Sequence, residues 1–137
     1  MYWIDTDVVL ALLLKRPPFY PDAFALWQAG DAGRLVRFVS AITPINVFYI
    51  ARKPMGNADA RRIVAELPAS VQVCPVDATI LQAAHALPLT DYEDAVQIAA
   101  ARAAGLDALI TRNLGDYVGA PLQVFSPADL LKQLPPP

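Results

Sequence analysis

The stretch Met1-Tyr2-Trp3-Ile4-Asp5-Thr6-Asp7-Val8-Val9-Leu10 decides the fold. Its first four residues are apolar and include two aromatics, the make-up of a short strand. Asp5-Thr6 ends that strand with an acid. Asp7 to Leu14 then reads as a helix, which Pro17-Pro18 stops. A strand that passes at once into a helix, with a carboxylate at the junction, is the opening of an α/β unit.

The rest of the chain repeats the alternation. A helix is predicted from Pro21, on Phe24, Leu26 and Trp27, and ends at Gly30 and Gly33. Leu35 to Val39 reads as a strand followed by Ser40. Thr43-Pro44 opens a helix on Ile45, Phe48 and Tyr49, closed by Pro54 and Gly56. Asn57 to Leu67 is helical by its spacing of Ala60, Ile63, Val64 and Leu67. Val71 to Pro75 alternates as a strand, and Asp77 caps a helix through Ala86. Thr90-Asp91-Tyr92-Glu93 has the form of a capping box for a helix reaching Ala104 before Gly105. Ala108 to Thr111 and Leu122 to Phe125 are further strands, and Ser126-Pro127-Ala128-Asp129 starts a last helix. The pattern predicts an α/β fold in three layers, a mostly parallel central sheet between two layers of helices. Residues 1–134 form one domain, and Pro135-Pro136-Pro137 a flexible tail.

Composition agrees. With 137 residues, 55% apolar and 18% charged, the chain suits one well-filled core. The longest unbroken apolar run, Val8 to Leu14, is too short to span a bilayer. The start lacks the basic segment of a signal peptide. A single cysteine, Cys74, excludes an internal disulfide framework. A cytoplasmic protein without membrane attachment is expected. Cys74 is expected as a core thiol, and Trp3, Trp27, Phe24 and Phe48 as core aromatics.

Net charge is −2, so the chain as a whole is not a basic nucleic-acid binder. The charges are unevenly spread. Arg34, Arg37, Arg52 and Lys53 lie in a stretch without acids. Asp77, Asp91, Glu93, Asp94 and Asp107 face only Arg102. This predicts one basic surface beside one acidic site.

In an open α/β sheet, ligands bind beyond the carboxyl ends of the strands, near the switch point of strand order. Asp5 follows the first strand; Thr111, Arg112 and Asn113 follow a later one, with Asp116 a short turn beyond. Asp91 and Asp94 are neighbours in the first turn of a helix. Two carboxylates at 4 Å repel by about 4 kcal/mol at an effective dielectric of 20, so such a cluster calls for a cation. Oxygen donors suit Mg²⁺ or Mn²⁺. One His and one Cys argue against zinc. Each acid also has a plain structural use: Asp5 as an N-cap, Asp91 and Glu93 at a helix start, Asp116 in a turn beside Gly115. His85 lies on an Ala/Leu-rich helix and is not expected to be catalytic.

Taken together, the sequence resembles the PIN-domain family of nucleases, which includes the toxins of many bacterial toxin–antitoxin pairs. The resemblance rests on Ile4-Asp5-Thr6-Asp7-Val8-Val9, on Ser40-Ala41-Ile42-Thr43, on Asp91-Tyr92-Glu93-Asp94-Ala95-Val96-Gln97, and on Ile110-Thr111-Arg112-Asn113 leading to Asp116-Tyr117. It implies cleavage of RNA with Mg²⁺ or Mn²⁺ held by Asp5, Asp94 and Asp116. Asp91 is a further ligand or orients water, and Thr111 and Asn113 lie near the last acid. It also implies a homodimer and a small antitoxin protein as partner. Many members carry a glutamate where this chain has Asn46, and Asn113 stands where others have an aspartate. An amide offers a carbonyl but no base, so the resemblance leaves two readings: a ribonuclease, or a PIN-type binding module with weak or no catalysis. Arg52, Lys53 and Arg112 are expected to meet RNA phosphates. Asp5-Thr6-Asp7-Val8 also resembles the start of haloacid-dehalogenase-type phosphatases, with Asp5 as nucleophile and Asp7 as acid. Lys15, Lys53 and Lys132 offer no fitting partner to that motif.

Overall fold

A computed structural model describes residues 1–136. Pro137, the last residue of the expected tail, lies outside the described residues. In chain order the elements are β1 (Tyr2–Ile4), α1 (Thr6–Leu13), α2 (Tyr20–Asp31), β2 (Arg37–Ser40), α3 (Thr43–Met55), α4 (Asn57–Glu66), β3 (Gln72–Cys74), α5 (Ala78–Ala84), α6 (Tyr92–Ala103), β4 (Ala108–Ile110), β5 (Gln123–Phe125) and α7 (Pro127–Gln133). The strands form one parallel sheet in the order β3-β2-β1-β4-β5. The expected alternation is present throughout.

Strand periodicity divides the core into two layers. Ile4 and Ile110 pack with Val8, Val9, Leu26, Val39, Val47 and Leu130 on one face of the sheet. Trp3 and Leu109, one residue earlier in each strand, pack with Ile80, Val96, Ile98 and Tyr117 on the other. Neighbouring residues of a strand point to opposite faces, so a parallel sheet buried on both sides needs such continuous apolar runs. Each fully buried aliphatic side chain contributes about 1.5–3 kcal/mol. One polar thread crosses the second layer. The buried Trp3 indole N–H donates to Gln97 Oε1 at 3.1 Å, and Gln97 Nε2 donates to Glu93 Oε1 at 3.2 Å. Gln97 is itself fully buried, so this thread fixes the rotation of α6 against β1.

Several expectations need correction. The second strand begins at Arg37, not Leu35, and includes Ser40. The start of α6 is not a capping box on Thr90: Asp91 is the N-cap and accepts from the Asp94 N–H at 2.9 Å. Glu93 meanwhile takes a hydrogen bond from Gln97 instead of reaching back. Phe24 is not a core aromatic; it is exposed and stacks on Tyr20, with ring centroids 5.7 Å apart. Trp3 and Cys74 are buried as expected.

The single basic surface does not form. Arg37 is buried, lies over the Trp27 ring, and donates to the Trp27 carbonyl and to Asp31, both at 2.8 Å. Gly30 makes room for it, since a Cβ there would meet the Arg37 guanidinium at 2.7 Å. Arg34 donates to the Pro135 carbonyl. Only Arg52 and Lys53, in the last turn of α3, stay on the surface of that stretch, where they suit the helix C-terminus. No described helix is long and apolar enough to cross a membrane.

Candidate active site at the switch point of the sheet

The chain leaves β1 for β2 and β3 on one side, then returns to β4 on the other. The switch point is therefore the crevice beyond the carboxyl ends of β1 and β4. Asp5 follows β1 directly and Thr111 follows β4. The pairing of Ile4 with Ile110 sets them side by side. Asp5 is the N-cap of α1, accepting from the Thr6 N–H at 2.8 Å through Oδ1. Its structural use is thus real, yet it occupies only one oxygen.

The other oxygen is shared. Asp5 Oδ2 accepts from the Thr111 hydroxyl at 2.8 Å and from the Tyr117 hydroxyl at 2.9 Å. The same phenol lies 3.0 Å from Asp94 Oδ1, in the first turn of α6. Tyr117 thus bridges Asp5 and Asp94, two of the acids that the sequence reading placed at one edge of the sheet. Asp116, in the single turn of 3₁₀ helix Leu114–Tyr117, lines an open cleft of about 390 Å³ together with Asp91 and Asp94. Among the described residues, no three Asp, Glu, His or Cys side chains lie close enough to hold one ion together.

Two residues of the cluster had no role assigned from sequence in the nuclease reading. Asp7 accepts from the Thr111 hydroxyl at 3.2 Å, the Arg112 N–H at 3.2 Å and Asn113 Nδ2 at 2.8 Å. Asn113 therefore fastens the loop after β4 to α1. Tyr117 is 2% exposed, while Asp116 beside it faces solvent. The hydroxyl that separates tyrosine from phenylalanine was the one available signal for its role.

Burial and crowding shift the acids in one direction. Asp5 is raised to about 7, by burial first, then by the charges of Asp7 and Asp94, against the lowering effect of its two hydroxyl donors. Asp94 is raised to about 6, mainly by burial; the Tyr117 hydrogen bond opposes this, and Asp91, Asp116 and Glu93 add to it. Asp7 is also raised by burial, against the Arg112 N–H and the Arg112 charge. Tyr117 is held far above the usual phenol range by burial and by the carboxylates it faces. A carboxylate cluster that keeps its protons near neutrality is one short of positive charge.

Arg112 supplies some of that charge, but its guanidinium packs 3.5 Å from the Phe19 ring centroid and its Nε is buried without a partner. Asn46, in α3, has a buried Nδ2 that finds no acceptor. His85 is exposed and stacks on Tyr92.

The model of the PIN domain matches residues 2–115, most of the chain; the match includes Asp5, Asp7, Asp94 and Thr111 and ends just before Asp116 and Tyr117. The chain belongs to the PIN-domain family. Solved structures share the fold. The sarcin–ricin-loop-cleaving toxin VapC20 of Mycobacterium tuberculosis is 20% identical, with a TM-score of 0.65 over 80% of this chain and 87% of its own. A toxin–antitoxin complex from Klebsiella pneumoniae is 25% identical, with a TM-score of 0.68 over 93% and 98%. DNA-bound VapBC from Salmonella typhimurium is 18% identical, with a TM-score of 0.69 over 92% and 97%. No curated protein matches the sequence. With the chain placed among PIN domains, the phosphatase resemblance of Asp5-Thr6-Asp7-Val8 falls away.

Proposed function

We propose that this PIN domain is a metal-dependent ribonuclease and the toxin of a toxin–antitoxin pair. The observation that carries the reading is the Asp5–Tyr117–Asp94 junction at the switch point, with Asp91 and Asp116 in the adjoining cleft. The donors are carboxylate oxygens, the set that Mg²⁺ and Mn²⁺ prefer, and Mg²⁺ needs only one or two carboxylates beside water and substrate phosphate. The residues present therefore fit such an ion. Asp5 and Asp94 would hold it, and Asp91 and Asp116, in the adjoining cleft, would act on water around it rather than on the ion directly. When bound, the ion would activate water and stabilise charge on the phosphodiester. Thr111 and Asn113 keep the loop after β4 in place, and Arg112 offsets the Asp7 charge.

The partners follow the same reading. Structures of the fold with antitoxins bound support a cognate antitoxin here. An apolar groove of about 580 Å³ between α3 and α4, lined by Ile45, Phe48, Tyr49 and Val64, offers a surface for a partner helix. RNA as substrate, a homodimer and a cytoplasmic setting belong to the proposal.

The direct test is cleavage of a mixed RNA pool with Mn²⁺, with Mg²⁺ and with chelator. Wild type should cut only with metal, and Asp94→Asn should lose about 10²-fold or more. Cutting that survives chelator, or survives the substitution, would overturn the metal reading.

One observation favours a second reading, a binding module with weak catalysis. Asn46, the position at which the family resemblance implies a glutamate in many members, has a buried amide nitrogen without a partner. Asn46→Glu should raise the cleavage rate at limiting Mn²⁺ several-fold if the site is only weakened. An inert Asn46→Glu protein at saturating Mn²⁺, from an inert wild type, would select the binding module.

A further inference from the structure

Tyr117 sits where a second oxygen ligand would be out of place. Tyr117 belongs to the same core layer as Val96, Ile98 and Leu109 and is 2% exposed. The hydroxyl is therefore delivered to one fixed point, 2.9 Å from Asp5 Oδ2 and 3.0 Å from Asp94 Oδ1. A phenol has one proton to give and two lone pairs, and an ionised carboxylate only accepts. When both acids are ionised, one phenol proton therefore serves two carboxylates. Thr111 repeats the pattern on the same oxygen of Asp5, its hydroxyl 2.8 Å from Asp5 Oδ2 and 3.2 Å from Asp7 Oδ2. The two hydroxyls occupy the spaces between three acids, the same spaces in which a cation gains the most from their charge.

We propose that the Tyr117 hydroxyl is a positioning group that holds Asp5 and Asp94 together in the ion-free protein and competes with a divalent cation for their oxygens. The inference rests on the reading of these acids as a cation site. The phenol sets the affinity of that site from below. It must surrender its hydrogen bonds when the ion arrives. The ring cannot swing away, because it is core. Phenylalanine at this position would keep the packing and remove the competitor.

The test is Tyr117→Phe on the full chain, with Mn²⁺ as probe. The variant should melt lower than wild type in chelator, because the carboxylates lose their shared donor. Its Mn²⁺ affinity, read by electron paramagnetic resonance titration, should be roughly tenfold tighter, the scale of one hydrogen bond to a charged group. A merely structural tyrosine would lower the melting temperature and leave the Mn²⁺ affinity unchanged, and that result, or weaker binding, would overturn the proposal. Wild type that binds Mn²⁺ no better than Asp94→Asn would overturn the cation site itself and this inference with it. A second measurement needs no deletion: 3-fluorotyrosine placed at position 117 alone should shift its ¹⁹F resonance on titration with Mg²⁺. A resonance unmoved by Mg²⁺ at concentrations that saturate the protein would also overturn the proposal.

Discussion

Asp5→Asn should abolish metal-dependent cleavage while making the ion-free protein more stable. The two effects come from the same carboxylate. Cleavage should fall by about 10²–10³-fold, because the amide removes the charge that would anchor the proposed ion beside β1. Stability should rise because the amide suits the surroundings better than the acid does. Asn is as good an N-cap as Asp, so the Thr6 N–H keeps its acceptor. The amide N–H₂ can donate to the Thr111 and Tyr117 oxygens, which frees the phenol proton for Asp94. A carboxyl raised from 3.8 to about 7 gives up stability on ionising. Over roughly 3 pH units that amounts to about 4 kcal/mol as an upper bound. A shift of that size raises the melting temperature of a domain this large by of order 10 °C. Thermal melts at pH 8 in chelator check it. A melting temperature equal to or below that of wild type would show that the Asp5 charge is not a burden on the fold.

The second large effect is the pH dependence of the ion-free protein, and its sign runs opposite to ordinary acid denaturation. Asp5 and Asp94 titrate higher in the folded chain than in the unfolded one, at about 7 and about 6 against 3.8. Between those values the folded state binds protons that the unfolded state has already lost. Stability contributed by these two groups is therefore full below about pH 4, declines through the interval, and is gone above pH 7. Asp7 and Glu93 are raised as well and add to the same slope. In chelator, the urea midpoint should fall from pH 5 to pH 7 and then level off. Mn²⁺ at pH 8 should recover it, since the ion replaces the missing protons. A midpoint that rises from pH 5 to pH 7 in chelator would contradict the crowded-acid picture.

Much of this was legible in the sequence, for physical reasons that differ by residue. The alternation of short apolar runs with helical spacing gave the layers, because a parallel sheet buried on both faces admits little else. Asp5 stood out because it ends the first strand, and strand ends are where such sheets present ligands. Asp94 stood out because it opens a long alanine-rich helix. Asp7 was harder to place: in the first turn of a helix, it looks like any acid at a positive helix terminus. Only the folded chain shows that Thr111, Arg112 and Asn113 converge on it. Tyr117 was invisible for a related reason. An aromatic after a turn reads as core, which its ring is, and nothing in the local pattern says where its hydroxyl ends up. Arg37 misled in the other direction. Counted as surface charge, it is held inside by Trp27, Asp31 and the space above Gly30.

The place of β1 in the middle of the sheet has a consequence for synthesis. Its pairing with β4 and the contacts from Asp5 to Thr111 and Tyr117 span 106 and 112 residues of chain. Such distant contacts close late and slowly. A chain growing from its N-terminus can pair β1 with β2 early, but its acids stay apart until Tyr117 has left the ribosome. The acid cluster at the switch point is thus among the last parts of the fold to come together.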